Sequence, residues 1–312
     1  MSSNKSYKKI LVLGSRGMVG SSVVRILSKS EKLKIIPSNR KTTNLFSIKE
    51  TQKLFNDTRP DYIINAAAKV GGILANDTKR TEFILSNLKI NMNVIESLIV
   101  HKNTKLINLG SSCIYPLGAS VPINESSLMS GALEPTNSPY AMAKLTAIEM
   151  GDAISKEFGH KIFNLMPTNL YGPNDNFSPH ESHVIPGLIY RMHHAKKYNE
   201  KEFAVWGTGS PLREFLFVDD LSNAIQFFIE NDVDEGLYNI GSNEEITIKD
   251  LVSLIKKIVG YDGKLVYDQT KPDGNPRKLL DSSKIKNLGW EPKIKLAEGL
   301  KTSYDWYLKN SI

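Results

Sequence analysis

The run Lys9-Ile10-Leu11-Val12-Leu13 passes directly into Gly14-Ser15-Arg16-Gly17-Met18-Val19-Gly20, and a helical pattern runs on from Met18 to Leu27. A buried strand that turns through spaced glycines into a helix leaves few folds open. The glycines let the backbone approach a ligand closely. The helix N-terminus presents free N–H groups that favour an anion, so the turn suits a pyrophosphate. The spacing is G-x-x-G-x-x-G, not the G-x-G-x-x-G of the simplest dinucleotide fingerprint, and a triplet alone also fits an ordinary strand–helix turn. Its place after the first strand, opening a helix, favours the nucleotide.

The same alternation continues. Leu33 to Ile36, Tyr62 to Asn65, Lys105 to Leu109 and Lys161 to Met166 read as strands. Met18 to Leu27, Ile48 to Phe55 and Asn87 to Val100 have helical length and period. Strands alternating with helices predict βαβ units on a parallel sheet, and a sheet covered on both faces explains why these strands are almost wholly apolar. After residue 166 the character changes, and Pro, Gly, Asn and His crowd Pro167 to Pro186 like a loop-rich segment. Asp219 to Glu230 then reads as a helix, Leu237 to Ile240 as a strand, and Ile248 to Val259 and Leu296 to Lys309 as helices. The predicted fold is a Rossmann-type doubly wound α/β sheet with a smaller C-terminal α/β substrate lobe. Residues 1–166 form the dinucleotide-binding part, roughly 217–240 return to it, and 167–216 with 241–312 form the substrate lobe.

The 312 residues suffice for two such units and a sizeable core. Forty Lys and Arg against 33 Asp and Glu give a net charge of +7. These cations are scattered rather than gathered in a stripe, which argues against nucleic acid as a partner and is compatible with an anionic small molecule. The apolar run Ile10 to Leu13 is too short for a secretory signal, and no window approaches the ~18 apolar residues of a membrane span. One cysteine, Cys113, allows neither an internal disulfide nor a multi-cysteine metal site, so no metal is expected and a cytoplasmic setting fits.

An acid at the end of the second strand holds the ribose 2′-hydroxyl of NAD. Here the chain reads Pro37-Ser38-Asn39-Arg40-Lys41, with two cations and no acid. A 2′-phosphate wants cations, so NADPH is the expected cofactor, with Arg40 on the phosphate and Arg16 as a further contact.

Tyr140-Ala-Met-Ala-Lys144 is a Y-x-x-x-K pattern, and so is Tyr267 with Lys271. Context separates them. Ser138-Pro139 reads as an N-cap and first turn, which would put Tyr140 and Lys144 on one helix face, whereas Tyr267 closes an extended run. The strand at 105–109 ends in Gly110-Ser111-Ser112-Cys113. Residues beyond the carboxyl ends of parallel strands line the ligand crevice, so Ser111, Tyr140 and Lys144 are expected to converge there. A nearby ammonium is expected to lower the Tyr140 phenol, which can then pass a proton to a carbonyl oxygen as hydride reaches its carbon.

These stretches resemble the extended short-chain dehydrogenase/reductase family, and within it the bifunctional 3,5-epimerase/4-reductases of GDP-4-keto-6-deoxy-D-mannose, which form GDP-L-fucose. The matching stretches are Gly14 to Gly20, Ala66-Ala-Ala-Lys-Val-Gly-Gly72, Leu109-Gly-Ser-Ser-Cys-Ile-Tyr-Pro116, Glu134 to Tyr140, Met166-Pro-Thr-Asn-Leu-Tyr-Gly-Pro173, Ser182-His-Val-Ile-Pro186, Arg213 to Asp220 and Lys271 to Asp281. They span nearly the whole chain. The resemblance implies a two-lobed homodimer using NADPH. It implies Ser111, Tyr140 and Lys144 as the reductase triad and Cys113 and His183 in epimerisation. For the cofactor it implies Gly14 through Gly20, Arg40, Leu109, Gly110, Ser111, Ser112, Lys144, Pro167, Thr168, Asn169, Leu170 and His183. Around the GDP-sugar it implies Arg191, Trp206, Arg213 and Asp273.

The chemistry of a 4-keto sugar fits that set. Carbons C3 and C5 flank the carbonyl, so their protons are acidic, and inversion removes a proton on one face and returns one on the other. Cys and His titrate near about 8.5 and 6.5, so both exchange protons near neutrality. Strand alternation would put residues 111 and 113 on one side. Among six histidines, His180 competes with His183, and only the resemblance chooses between them. Trp206 suits a base or ribose and Arg213 a diphosphate, although a packed Trp and an ordinary turn fit the same residues. A 4,6-dehydratase resembles Thr-Asp-Glu where this chain has Ser111-Ser112-Cys113. A non-catalytic NADP-binding protein would lose the Tyr or the Lys. An enzyme for another GDP-linked 4-keto sugar, such as a 6-deoxy-heptose, remains the alternative.

Overall fold

The structure, a computed structural model, describes residues 7–179, 181–271 and 273–310. Its strands and helices are, in chain order, β1 (Lys8–Leu13), α1 (Met18–Leu27), β2 (Leu33–Ser38), α2 (Ile48–Thr58), β3 (Tyr62–Asn65), α3 (Ile73–Thr78), α4 (Arg80–Leu98), β4 (Lys105–Leu109), α5 (Ser138–Phe158), β5 (Ile162–Pro167) and β6 (Asn169–Tyr171). They continue with α6 (Val184–Lys197), β7 (Glu202–Trp206), β8 (Leu212–Phe217), α7 (Val218–Glu230), β9 (Gly236–Ile240), β10 (Glu245–Thr247), α8 (Ile248–Val259), β11 (Lys264–Asp268), β12 (Arg277–Lys278), α9 (Ser283–Asn287) and α10 (Leu296–Asn310).

Six strands form one parallel sheet in the order β2-β1-β3-β4-β5-β9. Side chains alternate between its faces. Ile10, Val12, Ile64 and Ile107 pack with Val23 and Leu27 of α1 and Leu221, Ile225 and Phe228 of α7. Leu11, Leu13, Ile63 and Leu106 pack instead with Phe55 of α2, Val94 of α4 and Ala147 of α5. Both faces are covered, which is why the strands are apolar at most positions rather than every second one. The order reverses between β1 and β3, and a ligand crevice opens outside the strand carboxyl ends at such a switch point. Gly14 and Ala66 stand there.

The remaining strands make two smaller sheets. β10, β8 and β12 are neighbours, with β6 also paired to β8, and β11 pairs with β7. They share a core with α6, α8 and α10 that includes Tyr171, Leu188, Met192, Phe203, Leu251, Ile255 and Tyr307.

Three local expectations change. Helix α5 is capped at Asn137, not Ser138. The Glu134 carboxylate accepts from the Thr136 and Asn137 N–H groups (both 3.1 Å), and the Ser138 hydroxyl faces Arg80. The stretch after residue 166 is not all loop, because β6 lies within it. Helix α4 begins at Arg80, seven residues before the apolar period becomes visible at Asn87. Its first turns are mostly polar, and only Phe83 is buried there. Among the described residues no helix is long and apolar enough to cross a membrane.

Phe228 is wholly buried between Phe163 (ring centroids 5.5 Å) and Tyr238 (5.0 Å). Phe228→Ala should cost about 3–5 kcal/mol, as other emptied aromatic sites do. Urea unfolding measures it, and a loss below about 1 kcal/mol would place the sheet's weight elsewhere.

Candidate active site

The turn from β1 into α1 is a backbone cradle. Gly14 has φ +74, and a Cβ there would fall 2.8 Å from Ala66 O and the Ala67 backbone. A Cβ on Gly20 would fall 2.2 Å from Gly14 O, so the helix packs on the turn through bare backbone. Gly17 meets nothing nearer than 3.5 Å and caps α1 without a side-chain hydrogen bond, and no acid stands in the first turn. The first N–H groups of α1 are therefore open to an anion. Ser15 is buried and its N–H donates to Ser38 O (2.9 Å), tying the turn to β2. Arg16 is exposed, and Met18 and Val19 are half-buried. Arg40 is exposed on the turn after β2, where Asn39 Oδ1 accepts from Lys41 N (3.0 Å). These residues fit a dinucleotide with a 2′-phosphate: bare N–H groups for the pyrophosphate, and free guanidinium groups with no acid at the strand end.

At the end of β4, Leu109, Gly110 and Ser112 are buried, and Ser111 and Cys113 are half-buried. A Cβ on Gly110 would fall 2.1 Å from the Met166 side chain. Ser111 is extended, but Ser112–Ile114 is a 3-10 turn whose Cys113 N–H donates to Ser111 Oγ (3.2 Å). Residues 111 and 113 are thus brought together by a turn, not by the strand alternation expected from the sequence. Tyr140 and Lys144 stand one turn apart on α5, with Lys144 Nζ 5.9 Å from the Tyr140 ring centroid. Lys144 is only 3% exposed and donates to Leu109 O (2.6 Å). Tyr267 is the last residue but one of β11, and Lys271 follows outside any regular element.

Burial sets the ionisation of this group. It pushes the Lys144 amine down to about 8. It also pushes the Tyr140 phenol up from its ordinary value, Cys113 adds to that, and a hydrogen bond with Ser111 pulls the other way. The expected lowering of Tyr140 by Lys144 is therefore not present in the protein alone. Loss of solvent outweighs it, and the ammonium is turned toward Leu109 O. The arrangement favours a neutral phenol, able to donate a proton.

Pro167 and Thr168 are buried, and Asn169 and Leu170 half-buried, where β5 gives way to β6. His183 caps α6 through its backbone, and its ring has no hydrogen bond among the described residues. Its surroundings push the imidazole below the ordinary value by desolvation, though one side of it meets solvent. His180 and Pro272 lie outside the described residues.

A second group gathers around Trp206 and Arg213. The Arg191 guanidinium is 5.0 Å from the Phe203 ring and 5.9 Å from the Trp206 ring, and donates to Ala204 O (3.2 Å). Trp206 is 65% exposed, more than a packing residue of its size warrants. Asp273 accepts from Thr208 N (2.9 Å) and Thr208 Oγ1 (2.7 Å), which closes the turn after Trp206. Arg213 donates to Asn275 O (2.5 Å). The sequence reading missed Lys278, whose Nζ lies 3.9 Å from Cys113 Sγ. Lys278 pairs in register with Arg213 through β12 and β8, so it links the two groups. A two-residue strand has no periodicity by which to be found. Glu214 was missed too, although it stands beside Arg213 and is fully buried. Among the described residues no group of three or more His, Cys, Asp or Glu is placed to hold a metal.

The sequence pattern of the NAD dependent epimerase/dehydratase family matches residues 10–241. The chain belongs to this family. It is 50% identical over 308 residues to "GDP-L-fucose synthase 1" of Arabidopsis thaliana, covering 99% of this chain and 95% of that one. Among solved structures it is similar to a GDP-L-fucose synthetase from Naegleria fowleri bound to NADP, with TM-score 0.88, 28% identity and coverage of 97% and 95%. A GDP-D-glycero-L-gluco-heptose synthase from Campylobacter jejuni, solved in the presence of NADPH, matches with TM-score 0.88, 29% identity and coverage of 97% and 99%.

For this epimerase/dehydratase-family chain the buried amine gives a test free of substrate. Between about pH 8 and the ordinary lysine value, unfolded chains hold a proton that folded ones have released. Stability contributed by Lys144 therefore rises with pH through that window. From pH 7.5 to 9.5 the unsubstituted protein should gain stability relative to Lys144→Met in urea unfolding. Parallel curves would mean that Lys144 keeps its ordinary ionisation.

Proposed function

We infer that the protein is an NADPH-dependent oxidoreductase with epimerase activity, which converts GDP-4-keto-6-deoxy-D-mannose to GDP-L-fucose by 3,5-epimerisation and 4-reduction. The observation that carries this reading is that the Cys113 thiol and the Ser111–Tyr140–Lys144 group share one site. A plain reductase has no use for the thiol, and a dehydratase would need acids in its place. The 50% identity with the Arabidopsis GDP-L-fucose synthase over nearly the whole chain supports the same substrate.

In this reading Cys113 removes the protons from C3 and C5 of the bound keto sugar in two separate steps. The electron pair moves onto the carbonyl oxygen, where Ser111 and Tyr140 supply hydrogen bonds to the enolate. The Lys278 ammonium stands where negative charge develops. His183 returns a proton to the opposite face. NADPH, when bound, supplies the hydride for C4. Tyr140 then gives its proton to the C4 oxygen, and Lys144 fixes the phenol and the neighbouring ribose. Gly14 through Gly20, Leu109 to Ser112, Pro167 to Leu170 and His183 line the cofactor, with Arg40 and Arg16 at its 2′-phosphate. Arg191 and Arg213 take the sugar diphosphate, Trp206 the base or ribose, and Asp273 holds the turn that presents Trp206.

The lobes divide as 1–166 with roughly 217–240, and 167–216 with 241–312. The protein works as a cytoplasmic homodimer, with no nucleic acid or membrane partner. Exposed Leu85 and Met92, seven residues apart on one face of α4, and exposed Met142 on α5 support a self-association surface. The heptose-synthase likeness favours one second reading, a GDP-linked 4-keto heptose as substrate.

The deciding assay adds GDP-4-keto-6-deoxy-D-mannose and NADPH and follows absorbance loss and product identity. Tyr140→Phe should bind NADPH but reduce at least about a hundredfold more slowly. Cys113→Ser should still consume NADPH slowly, yet release the unepimerised sugar, because a hydroxyl is far harder to ionise than a thiol. Fully epimerised, deuterium-labelled product at the normal rate from Cys113→Ser in deuterated water would remove Cys113 from the chemistry.

A separate measurement addresses cofactor choice. Arg40→Ala should raise the Michaelis constant for NADPH more than that for NADH. Equal use of both cofactors by the unsubstituted protein would count against a 2′-phosphate contact.

A further inference from the structure

The stretch Ala66-Ala-Ala-Lys-Val-Gly-Gly72 has no part in the chemistry described so far, yet it is held unusually firmly. Asn87 donates to Lys69 O (3.0 Å) and accepts from Lys69 N (2.9 Å). The buried Asn76 amide donates to Gly71 O (2.7 Å) and Gly72 O (3.0 Å). The stretch ends against the loop that carries His183. Gly72 N donates to Glu181 O (3.0 Å), and a Cβ on Gly72 would fall 2.4 Å from Ser182 O. Lys79, at the end of α3, pairs with the Glu181 carboxylate. On its other side, a Cβ on Gly71 would fall 3.1 Å from the Phe83 ring, and that ring meets the Tyr140 ring edge-on at 6.4 Å.

We propose that Gly71-Gly72 and the Lys79–Glu181 pair form a latch that positions His183 against the site of Tyr140 and Cys113, so that proton return keeps pace with hydride transfer. It rests on the role given to His183 above. The latch residues touch neither substrate nor cofactor and act only through the loop. Gly72 has φ −66, a conformation any residue adopts, so its need for glycine comes from the approach to Ser182 and not from the backbone. A methyl group there must push Ser182, and His183 with it, by several tenths of an ångström. A misplacement of about 1 Å can cost a hundredfold in a proton transfer.

The test compares Gly72→Ala, Lys79→Ala and the charge swap Lys79→Glu with Glu181→Lys. In the protein alone, amide hydrogen exchange over 181–184 should rise about tenfold in Gly72→Ala and about threefold in Lys79→Ala, and return toward normal in the swap. With NADPH and the keto sugar, the share of product reduced without epimerisation should rise in the same order. Loss of general stability would slow both chemistries together and leave that share unchanged. Unchanged exchange, or faster exchange with unchanged product composition, overturns the proposal. Should Gly72→Ala fail to fold, the exposed Lys79 pair decides alone. An unsubstituted protein inert toward the keto sugar removes the substrate reading instead, and the exchange measurement then decides the latch by itself.

Discussion

A buried carboxylate with no cation paired to it among the described residues anchors the region where the two groups of site residues meet. Glu214 is fully buried, and burial pushes its carboxyl up from the ordinary value. Backbone donors hold it: Asn243 N (2.8 Å) and Leu280 N (3.1 Å). Its own carbonyl accepts from Asn169 Nδ2 (2.9 Å) and Thr168 Oγ1 (3.3 Å). One residue thereby gathers the β5–β6 junction, the turn after β9 and the chain that leaves β12. A buried charge left without such donors would be costly, so these three segments and β8 hold one another in place. Gly241 completes the cradle, because a Cβ there would fall 2.3 Å from a Glu214 carboxylate oxygen. Arg213 and Lys278, flanking this node across the β8–β12 ladder, inherit its precision.

Much of the site is assembled from backbone approaching backbone. Gly20 on Gly14, Gly14 on Ala66 and Ala67, and Gly72 on Ser182 form a chain of contacts that no side chain would fit. It runs from the first turn of α1 to the loop before α6. Such contacts transmit position well, because they have no rotamers to absorb a shift. Sites meant to align several reacting groups benefit from that stiffness.

The main sheet was readable because each strand is a short apolar run and each helix a longer periodic one, as β1, α1 and β9 illustrate. The carboxyl ends of those strands then locate Gly14, Ser111 and Cys113 without further information. What remained hidden depends on contacts far apart in the chain. Lys278 reaches Cys113 across 165 positions, and neither residue carries a local sign of the other. Glu214 reads as one more acid near a strand end until its donors are known. Ser138 looked like a cap because serine usually is one; Glu134 took over the free N–H groups, and Arg80 took the hydroxyl. His183 was selected by resemblance, since a histidine in a polar loop has no signature of its own. The ionisation of Tyr140 misled because the pattern shows which cation is near but not how deeply the phenol is buried.

The two chemistries assigned to this site impose an order on each other. The C3 and C5 protons are acidic only while C4 is a carbonyl. Once hydride reaches C4 that acidity is gone, and any centre not yet inverted stays so. The site must therefore make hydride transfer slow relative to proton exchange. In the proposed reaction a Tyr140 phenol pushed up by burial would be a weak acid toward the C4 oxygen, whereas it would still serve as a hydrogen-bond donor to an enolate.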